Sequence, residues 1–136
     1  MSSDTTYPRT DGLDATLATR AVPLDCERLD VYRIALEFQV LVPRFLPRRG
    51  YAALRDQLDR ASASILLNIA EGCGRSAPAD KAHFYAIARG SAMECAAVLD
   101  IALSRGLIDP GLHRHGHGLL VRVTQMLTRL VLRMQR

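Results

Sequence analysis

Gln57-Leu-Asp-Arg-Ala-Ser-Ala-Ser-Ile-Leu-Leu-Asn-Ile-Ala-Glu-Gly-Cys-Gly-Arg75 decides the fold. Gln57, Arg60, Ser64, Asn68, Glu71 and Arg75 recur at steps of three or four. That spacing lays their side chains along one line of an α-helix. Leu58, Ala61, Ile65 and Ile69 fall on the opposite side. A helix with an apolar face and a ruled polar line needs neighbours for both, which points to helices packed on helices.

The flanking segments supply those neighbours. Upstream, a helix is expected from about Asp25 or Cys26 to Phe45, with Val31, Ile34, Ala35, Phe38, Leu41, Val42 and Phe45 as its apolar stripe. Tyr32, Leu36 and Val40 form a second apolar line. Pro43 lacks an amide donor and crowds the preceding turn, so the last turn is expected to kink or unwind. Pro47-Arg-Arg-Gly50 reads as the connecting turn. Downstream of the quoted stretch, Gly72 and Gly74 offer a left-handed helix stop, and Ser76 an N-cap followed by Pro78. The third helix is expected to bury Phe84, Ile87, Ala88, Ser91, Cys95, Val98, Leu99 and Ala102 and to end near Gly106. Asp109-Pro110 then reads as N-cap and first residue of a fourth helix. Gly111, Gly116 and Gly118 weaken its opening, each by about 1 kcal/mol relative to Ala. Leu119, Leu120, Val123, Met126, Leu127, Leu130 and Met134 form its inward face. Short connections between four helices predict an all-α, antiparallel up-down four-helix bundle over residues 25–136. Residues 1–24, rich in Ser, Thr, Asp and Gly with no sustained period, read as a flexible tail.

The chain has 136 residues and a formal charge of +4. Four Asp and two Arg in residues 1–25 give 2 − 4 = −2, leaving +6 for the remainder. A basic body suits an anionic partner, nucleic acid foremost. Seventeen of the eighteen basic residues are Arg, which composition alone also explains. Cys26, Cys73 and Cys95 are odd in number, far apart in sequence and in no CxxC pair, the pattern of reduced thiols in a cytoplasmic protein. No signal peptide is visible, and no apolar run approaches the roughly 20 residues a membrane span requires.

The pattern Gln57-x-x-Arg60-Ala61-x-x-Ser64-Ile65-x-x-Asn68-Ile69-Ala70-Glu71-Gly72-x-Gly74-Arg75, followed by Phe84-x-x-Ile87-Ala88-x-Gly90-Ser91-x-x-Glu94, resembles the bacterial four-helix bundle family named after intervening sequences of 23S ribosomal RNA genes. The likeness extends loosely from Leu29 to the C-terminus. It implies a cytoplasmic four-helix bundle and a homo-oligomer, since relatives assemble as rings of five. A distant branch of the family serves as the basic nucleic-acid-binding accessory protein of diversity-generating retroelements. The ribosomal name records where the reading frames were found. This chain departs from the family pattern at Leu66, where a proline is common, so its second helix should be straighter. Cys73 and Lys81 replace aromatics.

Two sets of site residues stand out. Arg60, Asn68, Glu71, Ser91 and Glu94 are expected to form a polar cluster between the second and third helices, fixing their register; a ligand or partner site is the alternative. Arg122, Arg129, Arg133 and Arg136 share one face of the fourth helix with His115 and Gln125. Residues 105–136 carry six Arg against Asp109 alone. Guanidinium forks suit phosphate oxygens, and this face is the candidate for nucleic-acid contact, with a solvated face as the alternative. It lacks aromatics on which bases could stack, which argues against base reading on single strands. His113, His115 and His117 suggest a metal, but their Gly-rich setting and the absence of other nearby ligands favour exposed histidines. Gly72-Cys-Gly74-Arg75 has neither the preceding strand nor the length of a phosphate loop. No catalytic constellation, metal site or cofactor site is expected. The sequence leads to a non-enzymatic, oligomeric bundle that binds RNA or DNA with little sequence preference, or else to a protein-only assembly scaffold.

Overall fold

A computed structural model describes residues 24–136. A 3-10 turn, Asp25–Arg28, precedes α1 (Asp30–Phe45), α2 (Ala52–Gly74), α3 (Pro78–Ser104) and α4 (Pro110–Met134). No strand occurs among the described residues. Each helix packs on its two neighbours in a closed circuit, α1 on α2, α2 on α3, α3 on α4 and α4 back on α1. The chain is an all-α, antiparallel up-down four-helix bundle. The tail expected over residues 1–24 lies, apart from Leu24, outside the described residues.

The stripes expected of α1, α2 and α4 face the core. Phe38, Phe45, Leu58, Ile65, Ile69, Leu120, Val123 and Leu127 are all but fully buried. Phe38 and Phe45 pack ring to ring at 5.2 Å between centroids. Helix α3 departs from expectation: Tyr85 and Ala92 take inward positions, while Phe84 and Ser91 are half-buried and Ile87 is 38% exposed. Its sequence is apolar on nearly every side, so periodicity hardly discriminates one face from another.

Helix ends differ from the sequence reading in four places. The first helix starts at Asp30, because Leu29 is extended (φ −79°, ψ 128°) and separates it from the 3-10 turn. Pro43 does not unwind the last turn: the helix continues to Phe45, whose ring and the side chain of Leu46 are buried and anchor it. Neither Gly72 nor Gly74 is left-handed, and the helix stops at Arg75 in extended backbone. The Gly72 carbonyl accepts from the Arg75 amide at 3.2 Å and from Lys81 Nζ at 3.3 Å, and the Cys73 carbonyl accepts from Lys81 Nζ at 2.7 Å. Ala77, not Ser76, precedes α3, since Pro78 restricts its predecessor to extended backbone. The left-handed stop occurs at Gly106 (φ +68°), and Asp109 caps α4 by accepting from the Leu112 amide at 3.0 Å. In the turn before α2, Gly50 and Tyr51 are both left-handed, and Arg55 donates to the carbonyls of Pro47 and Gly50.

Candidate nucleic-acid interface and the polar seam

Helix α4 is amphipathic: its apolar stripe docks in the core and turns the opposite face to solvent. Arg122, Arg129 and Arg133 lie on that outer face, whereas Arg136, expected on the same face, falls beyond the helix end at Met134 and its Gln135 cap; all four are exposed. None of the four forms an ion pair or hydrogen bond among the described residues. From Arg122 to Arg133 the stripe runs about 17 Å along the helix axis. Its guanidinium groups are therefore available to an external anion.

One end of this stripe joins a second element. Arg28, on the 3-10 turn, stands across a cleft from Arg129 and Arg133, with Asp30 and the apolar side chains of Leu29 and Met126 also lining it. Arg28 is exposed. Sequence reading missed it because it is 101 positions from Arg129 (129 − 28) and the sequence places it inside the first helix rather than on a separate 3-10 turn. Its proximity follows from α1 packing against α4.

The polar residues of α2 and α3 meet along a seam, but as separate contacts. Gln57 donates to Glu94 (Nε2–Oε1 3.0 Å), and the hydroxyls of Ser64 and Ser91 bond at 2.8 Å. Asn68 donates back to the Ser64 carbonyl and hydroxyl, at 2.8 and 3.0 Å. Glu71 instead pairs with Arg75 at 2.6 Å, and the Arg75 guanidinium covers the Phe84 ring at 4.8 Å. Arg60 lines the shallow cleft beside Gln57, Ser64, Ser91 and Glu94 and bonds to none of them. Gln57, outside the expected cluster, makes the contact to Glu94 that Arg60 does not. The half-buried Ser64–Ser91 bond joins the two helices and supports their register, since leaving a buried hydroxyl unpaired costs about 1–3 kcal/mol. The Asn68 bonds stay within α2, and the Gln57–Glu94 bond is exposed.

The histidines and cysteines have local roles. His113 is largely covered; its Nε2 bonds Asp100 at 2.9 Å, and its ring stacks on His117 at 5.9 Å. No group of three or more His, Cys, Asp or Glu among the described residues is placed to hold a metal. Burial pushes the Cys95 thiol up to about 12. Cys73 is likewise raised by burial and then by nearby Cys26, which the 3-10 turn brings beside it from 47 positions away (73 − 26). Both thiols are thus held protonated and weakly nucleophilic at neutral pH. No helix among the described residues is long and apolar enough to cross a membrane.

A family model described as "23S rRNA-intervening sequence protein" matches residues 27–129, from the 3-10 turn to the arginine stripe of α4. No curated protein matches the chain.

Proposed function

The chain belongs to the 23S rRNA-intervening sequence protein family, and on that premise we propose that it is a non-enzymatic homo-oligomer that binds RNA or DNA non-specifically through α4. The observation that carries this reading is the row of four exposed arginines with no internal carboxylate partner. Salt-dependent contact with phosphates is the interaction such a row supports best. The missing aromatics favour backbone over base contact. The test is a mobility-shift titration of nuclease-treated protein with RNA and with duplex DNA. A shift with both at low salt that fades as salt rises supports the reading; indifference to both at low salt refutes it.

Self-association is favoured by the outer face of α3. Ile87 (38%), Met93 (57%) and Ile101 (39%) are exposed there, with Gly90 and Ala97 between them leaving room for another helix. Burying such side chains contributes about 25 cal/mol per Å² of apolar surface. Five subunits is the number implied by the family resemblance, and a cytoplasmic setting fits the reduced thiols. Sedimentation equilibrium is expected to give a multiple of the 15.0 kDa chain mass. The double substitution Met93→Glu, Ile101→Glu is expected to give the single-chain mass with helical content retained. A wild-type monomer at micromolar concentration would remove assembly from the proposal. An assembly without nucleic-acid affinity would leave the scaffold reading.

A further inference from the structure

We infer that the cleft between Arg28, Arg129 and Arg133 seats one phosphate of a bound nucleic-acid strand, so that Arg28 on the 3-10 turn is a binding residue of the α4 interface. The inference rests on the reading that α4 binds nucleic acid. Arg28 of the 3-10 turn and Arg129 and Arg133 of α4 line one concavity of about 290 Å³, and none of the three is engaged within the protein. Against Asp30 the three arginines leave a local charge of 3 − 1 = +2. Guanidinium forks match phosphate oxygens bidentately, and a phosphate in the cleft can meet arginines of two elements at once. Arg129 and Arg133 belong to the cleft and to the stripe alike, and Arg122 continues the same face on the N-terminal side. A polyanion lying along α4 therefore passes the cleft mouth. The volume is at the small end for ligand sites, which suits a phosphate with its sugar and little more. Leu29 and Met126 give the sugar an apolar surface. A free phosphate ion shares this chemistry, and the two sources separate in the test.

The experiment uses the full, nuclease-treated chain, with Arg28→Gln as the variant and Arg48→Gln as control. Arg48 is exposed in the turn after α1, at the opposite end of that helix from the cleft. Inorganic phosphate is titrated into isotope-labelled protein and followed by nitrogen–proton correlation spectra. Saturating shifts are expected at the Arg28, Arg129 and Arg133 side chains and at the Asp30 and Val31 amides, and Arg28→Gln is expected to abolish them with the rest of the spectrum unchanged. In parallel, anisotropy of a labelled single-stranded oligonucleotide is expected to show about tenfold weaker binding for Arg28→Gln. The slope of log K against log salt should shrink by about 0.7, the value of one phosphate contact on a single strand. Arg48→Gln should match wild type in both assays. If wild type and Arg28→Gln bind the oligonucleotide alike and phosphate leaves the cleft unperturbed, the inference is overturned and the α4 reading survives. If phosphate saturates the cleft but no oligonucleotide binds at low salt, nucleic acid is overturned as the source. Absence of both responses sinks inference and reading together.

Discussion

Gly116→Val is expected to cost the bundle about 3 kcal/mol or more, and Gly116→Ala up to about 2 kcal/mol, although alanine is the better helix former. A Cβ at position 116 would lie 2.7 Å from two atoms of the Phe45 ring and 3.1 Å from Leu99 Cδ1. Phe45 and Leu99 show no exposed surface, and Phe45 also packs against Phe38, so the ring has nowhere to retreat. Overpacking a close-packed interior costs about 1–3 kcal/mol, and the helix-propensity gain of about 1 kcal/mol offsets part of it for alanine only. Gly118 supplies the control two residues away: it is exposed, and a Cβ there meets nothing within 4 Å. Gly118→Ala should raise stability by about 0.5–1 kcal/mol. Urea unfolding monitored by circular dichroism reads both signs. Equal stabilisation at the two positions would contradict the packing of α1 against α4 at this level.

The second large effect concerns binding. Replacing Arg122, Arg129, Arg133 and Arg136 together by Gln removes four charges from exposed sites where no internal bond is lost. Stability is expected to change little, since surface substitutions away from caps and networks usually stay within about 0.5 kcal/mol per site. Affinity for duplex DNA should fall by about 10²-fold or more at 50 mM salt. Four phosphate contacts correspond to a salt slope near −3.6, so the slope should flatten towards zero with them. A mobility-shift titration of the variant beside wild type checks this. Retained affinity in a folded variant would move the interface elsewhere on the molecule.

The strongly amphipathic helices were legible in the sequence because a 3.6-residue period leaves one assignment of faces. For α1 and α4 most inward residues follow from the spacing of Val31 to Phe45 and of Leu119 to Leu127. Val42, Met126, Leu130 and Met134 are only half-buried, and Val131, outside the expected stripe, is buried. Helix α3 was less legible. With Ile87, Ala88, Ala92 and Met93 around its circumference, its buried face is chosen by the partner helices, and the choice falls on Tyr85 and Ala92. The glycines of α4 look alike in sequence, yet Gly116 admits the Phe45 ring and Gly118 faces solvent. Lys81 looks like a lost aromatic until its ammonium is seen on the carbonyls that end α2. The arginines of α4 were visible as a row. Arg28 was not, because its place beside Arg129 depends on the path of a 3-10 turn where the sequence suggested the start of the first helix. The polar seam was half legible: spacing put Ser64 and Asn68 on the line facing Ser91 and Glu94, but the expected cluster omits Ser64 and Gln57, which bond across to Ser91 and Glu94.

Fluorescence anisotropy of wild-type, nuclease-treated protein with a labelled duplex between 50 and 200 mM salt measures the α4 interface most directly. Binding at 50 mM salt that weakens by about 10²-fold at 200 mM is the predicted result. No binding at 50 mM salt, or an affinity that ignores salt, would contradict it.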